Sequence, residues 1–483
     1  MRRIIYISLV LIFCQMHLYA QKETSWWYFG FNAGLNFNSL SNVTANDGTI
    51  VSDMPTAVIG SINTREGCCV VSTYDGKLLF ATDGITVYNK NNTVMTNGTG
   101  LLGDPSAAQS AITFPMPGST TKYYIITIPA AEGTQHGIRY SIVDITQSSG
   151  LGAVTTKNAL IKSGSLSENI AIIPHSNGED YWMIHRSAKS FFVWAITVTG
   201  INLSHATYTN SSVSTNLAVT IIVSPDFTKI FSTAGTTYVT ADFDPSTGIV
   251  SGIKAHVDVV NIYSGTFSSN SQYLYAAGGR TNQNAYLTSW SDLRNTAAKF
   301  TQIFAGPVNL LRASDKRIYG IQSGSTPTSS TKHLYVIEDP DGGDTVSKYF
   351  PNYLVNGAHM GLPTFAVGFI RIIPKERPFA CTANNRTYGV EVDLSGGNAP
   401  VKLEWDFGDG SAKVIQGVSS SQSKYSQVHS YNNSGLYTIE VTPYKGDGTA
   451  LTPITMQANI VNCSLKSNHM TRSELLNSKQ QKK

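Results

Sequence analysis

The side chains that most often carry catalysis are scattered along this chain. Its histidines form neither an HExxH motif nor a pair at helical spacing, which disfavours a zinc hydrolase. The sequence has no GxSxG turn for a hydrolase nucleophile and no GxxxxGK(S/T) loop for a nucleotide. These absences favour a protein without a catalytic site.

Acidic turns are the remaining candidates for chemistry. Asp339, Asp341 and Asp344 surround two glycines, and oxygen-rich turns of this type can hold calcium. The alternative, which we adopt, is an exposed turn between two strands that needs no cofactor. We expect Asp406 and Asp409 to fix another turn by accepting hydrogen bonds from backbone N–H groups, with calcium again as the alternative.

A glycine-containing loop holds Glu132 and His136, which could meet a substrate if the loop bordered a channel. A solvated hairpin loop is the simpler interpretation. Tryptophans could offer stacking faces to sugars, but at strand positions they are more often packing residues. The tryptophans concerned are Trp26, Trp27, Trp182, Trp194 and Trp290.

The elements that must position these residues are short strands. Thr, Ser, Val, Ile and Tyr are abundant, whereas charged residues make up 14% of the chain. One unit recurs, in which a polar turn precedes a short apolar strand with an aromatic residue. The aromatic positions Phe231, Tyr275 and Tyr319 are 44 residues apart, and so are Phe80 and Tyr124.

A repeat of about 45 residues with several short strands is typical of a β-propeller, in which each blade is a small sheet. Six units are visible, and Trp26–Gly30 supplies a seventh that C-terminal strands near Phe365–Ile372 would complete. We therefore expect about seven blades, with six or eight as alternatives. A β-sandwich array or a β-solenoid would also fit a repeat of this length.

The pattern changes after a proline-bounded linker at 373–378. Alternating strands then surround a compact motif. The motif consists of Trp405, Asp406, Phe407, Gly408, Asp409, Gly410, His429, Tyr431, Gly435 and Tyr437. It resembles the motif of a PKD (polycystic kidney disease-type) domain. That resemblance implies an immunoglobulin-like β-sandwich with Trp405 in its core, acting as a spacer or binding module.

The N-terminal region resembles a group of large secreted Bacteroidota proteins. The resemblance rests on Trp27–Gly30, Arg65–Cys68, Leu78–Gly84, Val87–Asn89 and Met95–Gly103. In that group a propeller-like region precedes PKD domains, and the chain often ends in a sorting domain of gliding motility and type IX secretion. Only a polar, basic tail follows the second domain here, so we expect no sorting domain.

The N-terminus predicts export. Arg2 and Arg3 precede an apolar run at 4–13 and a cleavage point after Ala20, which is the layout of a secretory signal peptide. No other apolar run is long enough for a membrane-spanning helix. The formal net charge of +4 comes from the signal and the tail, and the body between them is close to −2. This balance disfavours nucleic-acid binding.

Two cysteines bracket the second domain. Cys381 and Cys463 are 82 positions apart, and outside the cytosol such a pair is expected to form a disulfide. Closing a loop of that length stabilises the fold by about 4 kcal/mol in the chain-entropy model. The sequence leaves open whether the adjacent Cys68 and Cys69 are two free thiols or form a vicinal disulfide.

The resulting domain prediction has five parts. They are a signal peptide at 1–20, a β-propeller-like domain at 21–372, a linker at 373–378, a PKD domain at 379–464 and a polar basic tail at 465–483.

The predicted function is that of an exported, non-catalytic interaction protein of the cell surface, exterior or periplasm. Its partner would be an extracellular glycan or a protein, and the sequence does not set the oligomeric state. Two alternatives remain. One is a polysaccharide-degrading enzyme whose acids lie far apart on propeller loops. The other is a passive structural component of a surface or motility assembly.

Overall fold

The chain is nearly all β, with 54% of residues in strands and 3% in helices, so the all-β expectation is confirmed. The computed structural model describes residues 22–73, 75–131, 136–164, 167–176, 180–213, 219–295, 300–326, 328–367, 379–381, 385–392, 399–419 and 424–461. Helical segments among them are Gln147–Gly150, Trp290–Arg294 and Pro340–Gly342. None of the described helices has the length and apolar character needed to cross a membrane.

The described residues between positions 26 and 350 form seven small antiparallel sheets in succession, and strands consecutive in sequence are mostly paired. The first sheet contains β1 (Trp26–Phe29), β2 (Phe31–Thr44) and β3 (Ile50–Asn63). The second contains β4 (Cys69–Ser72), β5 (Leu78–Thr82) and β6 (Val87–Asn89). The third contains β7 (Ala111–Pro115), β8 (Lys122–Thr127), β9 (Ile138–Asp144) and β10 (Ala153–Lys162). Each sheet is therefore a local meander that needs no long crossover.

The next four sheets repeat this plan, with strand β15 added to the fourth sheet through β13. The fourth and fifth sheets contain β11 (Ala171–Pro174), β12 (Tyr181–Ser187), β13 (Ser190–Thr197), β14 (Gly200–Ile201) and β15 (Ala206–Thr209); and β16 (Ile221–Val223), β17 (Lys229–Asp244) and β18 (Ile249–Ile262). The sixth and seventh contain β19 (Ser264–Phe267), β20 (Tyr273–Ala277), β21 (Asn284–Ser289) and β22 (Thr301–Ala305); and β23 (Asn309–Arg312), β24 (Ile318–Ser323), β25 (Ser330–Ile337) and β26 (Lys348–Phe350).

One turn geometry marks the repeat between the first and second strands of the last three sheets. Asp226, Asn270 and Asp315 each accept a hydrogen bond from the backbone N–H two residues later, at 3.1, 3.0 and 3.1 Å. This short side-chain bond fixes the reversal of the chain, which is why Asp or Asn recurs there. The strand that follows then brings its aromatic residue to full burial. These residues are Phe231, Tyr275 and Tyr319.

The first strands of the sheets lie next to one another in chain order. Strand β4 contacts β7, β7 contacts β11, β11 contacts β16, β16 contacts β19, and β19 contacts β23. Strand β1 in turn contacts β4. We call β4, β7, β11, β16, β19 and β23 the inner strands.

A segment at 357–364 joins the two ends of this series. The carbonyl of Gly357 accepts a hydrogen bond from the N–H of Phe31 at 2.9 Å, and the N–H of Thr364 donates to the carbonyl of Cys68 at 2.7 Å. We call 357–364 the closing segment. Its backbone pairs with the start of β4, so the C-terminal part of the sheet array is attached to its N-terminal part.

The other side of the closing segment meets the last inner strand. Asn309 in β23 donates from its side-chain amide to the carbonyl of Met360 at 2.9 Å. The inner strands therefore close into a circle, the order that a β-propeller requires. Of the range 365–372, where the sequence predicts strands that complete the first unit, residues 368–372 lie outside the described part of the chain; the pairing described here involves 357–364.

The apolar core runs between the sheets as well as within them. Trp27 of β1 is fully buried and contacts Tyr319 of the seventh sheet and Phe365, with ring centroids 5.8 and 6.2 Å apart. Residues of the first four sheets, the seventh sheet and the closing segment share one buried cluster. Hydrophobic packing therefore holds the two ends of the array together in addition to the backbone bonds.

The C-terminal residues form a second unit made of two sheets. One sheet has the order β27–β33–β32–β29–β30, and β28 pairs with β31 in the other. The strands are β27 (Phe379–Cys381), β28 (Arg386–Glu391), β29 (Lys402–Asp406), β30 (Val414–Gly417), β31 (Lys424–His429), β32 (Gly435–Tyr444) and β33 (Ile454–Val461). Buried residues of both sheets, among them Tyr388, Trp405 and Val441, form a single core.

Replacing Gly361 by Ala tests the closing segment. A Cβ at this position would lie 1.9 Å from the carbonyl oxygen of Glu66 and 2.3 Å from its carbonyl carbon, so the backbone would have to move. We expect Gly361→Ala to lower the free energy of unfolding by about 1–3 kcal/mol, as overpacking does. Thermal or urea unfolding of the full chain measures the effect. Gly417→Ala is the control, since its Cβ would meet no atom within 4 Å; equal losses for both variants would contradict the closure.

Candidate functional site

A cluster of polar side chains lies at the ends of the inner strands where the chain enters them. Glu66, Gln109, Glu168 and Tyr263 precede β4, β7, β11 and β19 by one to three residues. Because the inner strands lie side by side, the residues that precede them meet at one end of the circle. We call these four residues the mouth cluster.

Glu66 and Tyr263 are joined directly. The Tyr263 hydroxyl donates to Oε2 of Glu66 at 2.7 Å, although the two residues are 197 positions apart in sequence. Burial raises the pKa of Tyr263 well above its ordinary value, and the carboxylates of Glu66 and Glu168 raise it further. The phenol therefore stays protonated and acts as a hydrogen-bond donor, not as a nucleophile, at neutral pH.

Glu168 is held in place by backbone donors. Its Oε2 accepts a hydrogen bond from the N–H of Ala108 at 3.1 Å, and its Oε1 accepts one from the N–H of Ala131 at 2.9 Å. The residue is 9% exposed. A carboxylate bonded in this way is fixed in position.

Gln109 links three neighbouring sheets. Its side-chain oxygen accepts hydrogen bonds from the N–H groups of Ile170 at 3.2 Å and Ile221 at 2.9 Å, and its amide nitrogen donates to the carbonyl of Ile221 at 3.3 Å. Its backbone N–H donates to the carbonyl of Glu168 at 3.1 Å. The mouth cluster thus contains two hydrogen-bonded pairs, Glu66 with Tyr263 and Gln109 with Glu168, and Gln109 and Glu168 are also bonded to backbone groups.

A cavity of about 120 Å³ continues from the mouth cluster between the inner strands. It is bordered by backbone and side chains of β16, β19, β23 and the residues around the closing segment. Its polar lining residues are Gln109, Thr220, Ser264, Thr266, Asn309, Arg312 and Thr364. Concave sites with a few fixed polar groups are the usual form of a ligand site, so the mouth and this cavity together are the candidate site.

Most of the loop that contains Glu132 and His136 lies outside the described residues, at 132–135. Ala131, which begins this loop, donates its N–H to Glu168. Glu132 itself lies outside the described residues. The carbonyl of His136 accepts a hydrogen bond from Nε of Arg139 at 2.7 Å, at the start of β9.

The acidic turn proposed for calcium is held by protein donors. Asp339 accepts from the N–H of Gly342 at 3.1 Å, and Asp344 accepts from the N–H of Val346 at 3.0 Å. Asp341 takes two hydrogen bonds from the neighbouring turn, from the hydroxyl of Ser269 at 2.6 Å and from the N–H of Asn270 at 2.8 Å. Among the described residues, no group of three or more His, Cys, Asp or Glu side chains is arranged to hold a metal ion.

Tryptophans serve packing in this fold. Trp27 and Trp194 are fully buried, which confirms the packing interpretation for these two. Trp182 is half-buried, and its indole N–H donates to the carbonyl of Pro245 at 2.9 Å, joining the fourth and fifth sheets. Trp26 and Trp290 are also half-buried; Trp26 donates to the carbonyl of Gly76 at 2.9 Å.

The Trp405–Gly410 motif of the C-terminal unit forms a compact hydrogen-bonded corner, and its turn carboxylates accept backbone hydrogen bonds as the sequence predicts. Asp406 accepts from the N–H of Gly408 at 2.9 Å, and Asp409 accepts from the N–H of Ser411 at 3.0 Å. Gly408 and Gly410 both have positive φ, at 71° and 80°.

Aromatic rings pack beneath this corner. The His429 ring stacks on Phe407 with centroids 3.9 Å apart, and its Nε2 bonds Oδ2 of Asp409 at 2.8 Å. The Tyr431 hydroxyl donates to the carbonyl of Phe407 at 2.9 Å, and its ring stacks on Tyr437. These contacts join β29, β31 and β32. The motif residues therefore stabilise the fold of the C-terminal unit, and we do not assign them to a ligand site.

Cysteines at 68 and 69 are buried thiols that are not bonded to each other. Cys68 donates to the carbonyl of Tyr28 at 3.2 Å, and burial raises the pKa of Cys69 to about 12. Both are therefore unreactive packing residues. Of the expected disulfide, Cys381 has its backbone in β27, and Cys463 lies outside the described residues.

Sequence reasoning missed the mouth cluster. Glu66, Glu168 and Tyr263 belong to no motif and are far apart in sequence. The one signal that could have found them is their shared position, just before the first strand of a repeat unit.

No family model matches this sequence, and no curated protein matches it. Several solved structures are similar to this chain, with low sequence identity. A protein from Lactobacillus plantarum is 10% identical with a TM-score of 0.43, covering 70% of this chain and 98% of its own. The extracellular domain of a one component system from B. thetaiotaomicron is 13% identical with a TM-score of 0.38, covering 92% of this chain and 56% of its own. The β-propeller domain of Myceliophteria thermophila Cps50 (Swd1) is 11% identical with a TM-score of 0.36, covering 65% of this chain and 93% of its own.

An Asp409→Asn variant tests the corner of the C-terminal unit. Burial opposes ionisation of Asp409, but the hydrogen bonds from Ser411 and His429 outweigh it and hold its pKa below the ordinary value. The carboxylate therefore stabilises the fold above the unfolded-state pKa of about 3.9, and this contribution is lost as the pH falls through the lower folded-state pKa. We expect Asp409→Asn to cost about 1–3 kcal/mol at pH 7.

Urea unfolding of the full chain, followed by tryptophan fluorescence at pH 7 and at pH 3, checks this expectation. The difference between wild type and Asp409→Asn should shrink at the lower pH, because pH 3 lies below the unfolded-state pKa of about 3.9, where ionisation of the folded-state carboxyl contributes less to stability. Asp447→Asn is the control, since Asp447 bonds only Thr449 within its own turn. A difference that is unchanged at pH 3 would contradict the role assigned to the Asp409 carboxylate.

Proposed function

We propose that this chain is an exported, non-catalytic interaction protein that binds a glycan or a protein at the mouth of a seven-bladed β-propeller. A PKD domain at 379–464 would follow it as a spacer or accessory binding module, after a signal peptide at 1–20 and a linker at 373–378. The protein would act at the cell surface, in the exterior or in the periplasm.

The mouth cluster is the observation that carries this proposal. It brings two carboxylates, an amide and a protonated phenol together at one end of the inner strands, and Gln109 also lines the cavity. Carboxylates accept hydrogen bonds from hydroxyl-rich or amide-rich partners, and amides both accept and donate them. Groups already held in place lose little entropy on binding. The seven sheets joined by the closing segment would each supply one blade of the proposed propeller.

The same geometry favours binding over acid catalysis. Both oxygens of Glu168 already accept backbone hydrogen bonds, so they are occupied in holding the fold. The Glu66 carboxylate accepts a hydrogen bond from a phenol whose raised pKa keeps it protonated, so Tyr263 is not a nucleophile at neutral pH.

The C-terminal motif supports the PKD assignment in physical terms. Two sheets share a core around Trp405, and the residues that resemble the family motif form the corner that closes it. An immunoglobulin-like sandwich is built on such a core.

Binding to a glycan array and to surface-exposed envelope proteins tests the function. We expect Glu66→Gln to weaken binding at least tenfold, because it removes a negative charge at the mouth while keeping the acceptor for Tyr263. Glu338→Gln, at an exposed acid of the turn after β25, is the matched control and should bind as wild type does. Equal binding by both variants would contradict the mouth as the binding face, and release of reducing ends from a polysaccharide would contradict a non-catalytic role.

A disulfide between Cys381 and Cys463 is the second proposal that can be tested directly. Strand β27 runs parallel to β33 with Cys381 opposite Val461, so Cys463 follows only two residues beyond the paired position. We expect mass spectrometry of the unreduced, exported protein to find a peptide pair linked through these two cysteines. Alkylation of Cys463 without prior reduction would contradict the pairing.

A further inference from the structure

The hydrogen bond between Glu66 and Tyr263 crosses the opening of the circle. Glu66 precedes β4 and Tyr263 precedes β19, and these inner strands are not neighbours, because β4 contacts β1 and β7 whereas β19 contacts β16 and β23. The carboxylate oxygen and the phenol oxygen, 2.7 Å apart, therefore meet across the opening and not along its wall. The two side chains together span the mouth.

Gln109 makes a second crossing of the same kind. It precedes β7, and its side chain bonds the N–H and the carbonyl of Ile221 in β16, although β11 lies between these two inner strands. Gln109 also lines the cavity, as do Ser264 and Gly265, the two residues that follow Tyr263. The cavity of about 120 Å³ therefore begins directly below the groups that span the mouth.

The backbone on both sides of the first crossing is held in place. The N–H of Tyr263 donates to the carbonyl of Ala277 at 2.8 Å, and the carbonyl of Tyr263 accepts from the hydroxyl of Thr220 at 3.1 Å. The N–H of Glu66 donates to the carbonyl of Pro105 at 3.0 Å. Motion at this crossing is therefore expected in the two side chains and not in the backbone.

The bond between these side chains is of a type that a ligand can replace. Glu66 and Tyr263 are both half-buried, so part of each residue is accessible. A phenol and a sugar hydroxyl are both O–H donors, and either one forms a charge-assisted hydrogen bond with a carboxylate. Glu168 differs, since two backbone N–H groups hold its carboxylate. Exchange of one hydroxyl for another at Glu66 therefore leaves the rest of the mouth cluster in place.

We propose that Tyr263 is a displaceable gate between the mouth and the cavity. A glycan hydroxyl that takes the place of the phenol on Glu66 releases the Tyr263 side chain, and rotation of that side chain joins the mouth to the cavity. A glycan fits this exchange because each of its sugar units carries several hydroxyls. This inference deepens the proposed function and rests on it, because it states how the ligand bound at the mouth gains access to the space below.

Chemical labelling of a cysteine inside the cavity tests the gate without any glycan. Thr364 is half-buried, lines the cavity and is close to cysteine in size, so the full chain with Thr364→Cys is the parent protein. Methyl methanethiosulfonate is the probe, and peptide mass spectrometry measures its rate of reaction at position 364 separately from the native cysteines. Adding Tyr263→Phe removes the hydroxyl and should raise this rate at least tenfold, because tenfold corresponds to about 1.4 kcal/mol, within the range of one hydrogen bond to a charged group.

Tyr286→Phe in the same parent is the matched control. The Tyr286 hydroxyl exchanges hydrogen bonds with Asn282 in the adjoining turn and does not line the cavity, so the labelling rate should stay close to that of the parent. If Tyr263→Phe does not fold, Glu66→Gln replaces it, because loss of the charge weakens the hydrogen bond and should raise the rate several-fold. Unchanged labelling in Tyr263→Phe and Glu66→Gln would overturn the gate.

Binding of a glycan selected on the array tests the exchange itself. In Tyr263→Phe the glycan no longer has to displace a hydroxyl from Glu66, so we expect its affinity to rise several-fold. Weaker binding would show that the phenol contacts the glycan directly and would overturn the exchange. Glycan binding that depends on Glu66, with no change in labelling, would overturn the gate and leave the proposed function intact. Faster labelling in Tyr263→Phe, with no glycan or protein bound by the wild-type chain, would contradict the proposed function instead.

Discussion

Burial of both faces of each small sheet is the constraint on which this structure depends. In β8, the consecutive residues Tyr123, Tyr124, Ile125 and Ile126 are all buried, although neighbouring strand positions point to opposite faces. Such a sheet needs a neighbour on each side, and a linear stack would leave two apolar faces in water. A circle of sheets leaves no apolar face in water, provided that its ends are joined. Each buried apolar side chain then contributes about 1.5–3 kcal/mol to the stability of the fold. The closing segment and the fully buried Trp27 supply that joint.

Closure also creates the candidate site. Glu66 and Tyr263 lie on different sheets and meet only because the inner strands surround a common axis. The cavity below them is the space that the inner strands leave between them. A polar network at its entrance is tolerated because its members satisfy one another, with the carboxylate of Glu168 and the amide of Gln109 bonded to backbone groups. Fold and site therefore depend on the same joint.

Much of the fold could be predicted from the sequence because the repeat has a local physical cause. The turn residues Asp226, Asn270 and Asp315 fix each reversal, and the aromatic residue that follows is buried in the core. Likewise, Asp409 and Gly410 indicate a tight turn by their types alone. What the sequence could not locate was the pairing of the closing segment, since a single backbone bond such as that from Thr364 to Cys68 leaves no mark on side-chain types.

The mouth cluster was hidden for the same reason. A glutamate or a tyrosine before a strand is ordinary by itself, and its role appears only when the circle brings several such positions together. The burial of Arg312 could not be predicted either, because an arginine at the end of a strand is usually exposed, whereas Arg312 is buried here. Local chemistry predicts turns and cores, and long-range closure determines the site.

Native-state hydrogen exchange at the joint tests the closed circle most directly. The amides of Phe31, Met360 and Thr364 donate to carbonyls across the joint, so they should exchange as slowly as the amide of Ile125 within β8. That result would show that the ends separate only when the whole array unfolds. Exchange of these three amides at the rate of exposed turns, with β8 still protected, would contradict the closure and with it the shared origin of the mouth and the cavity.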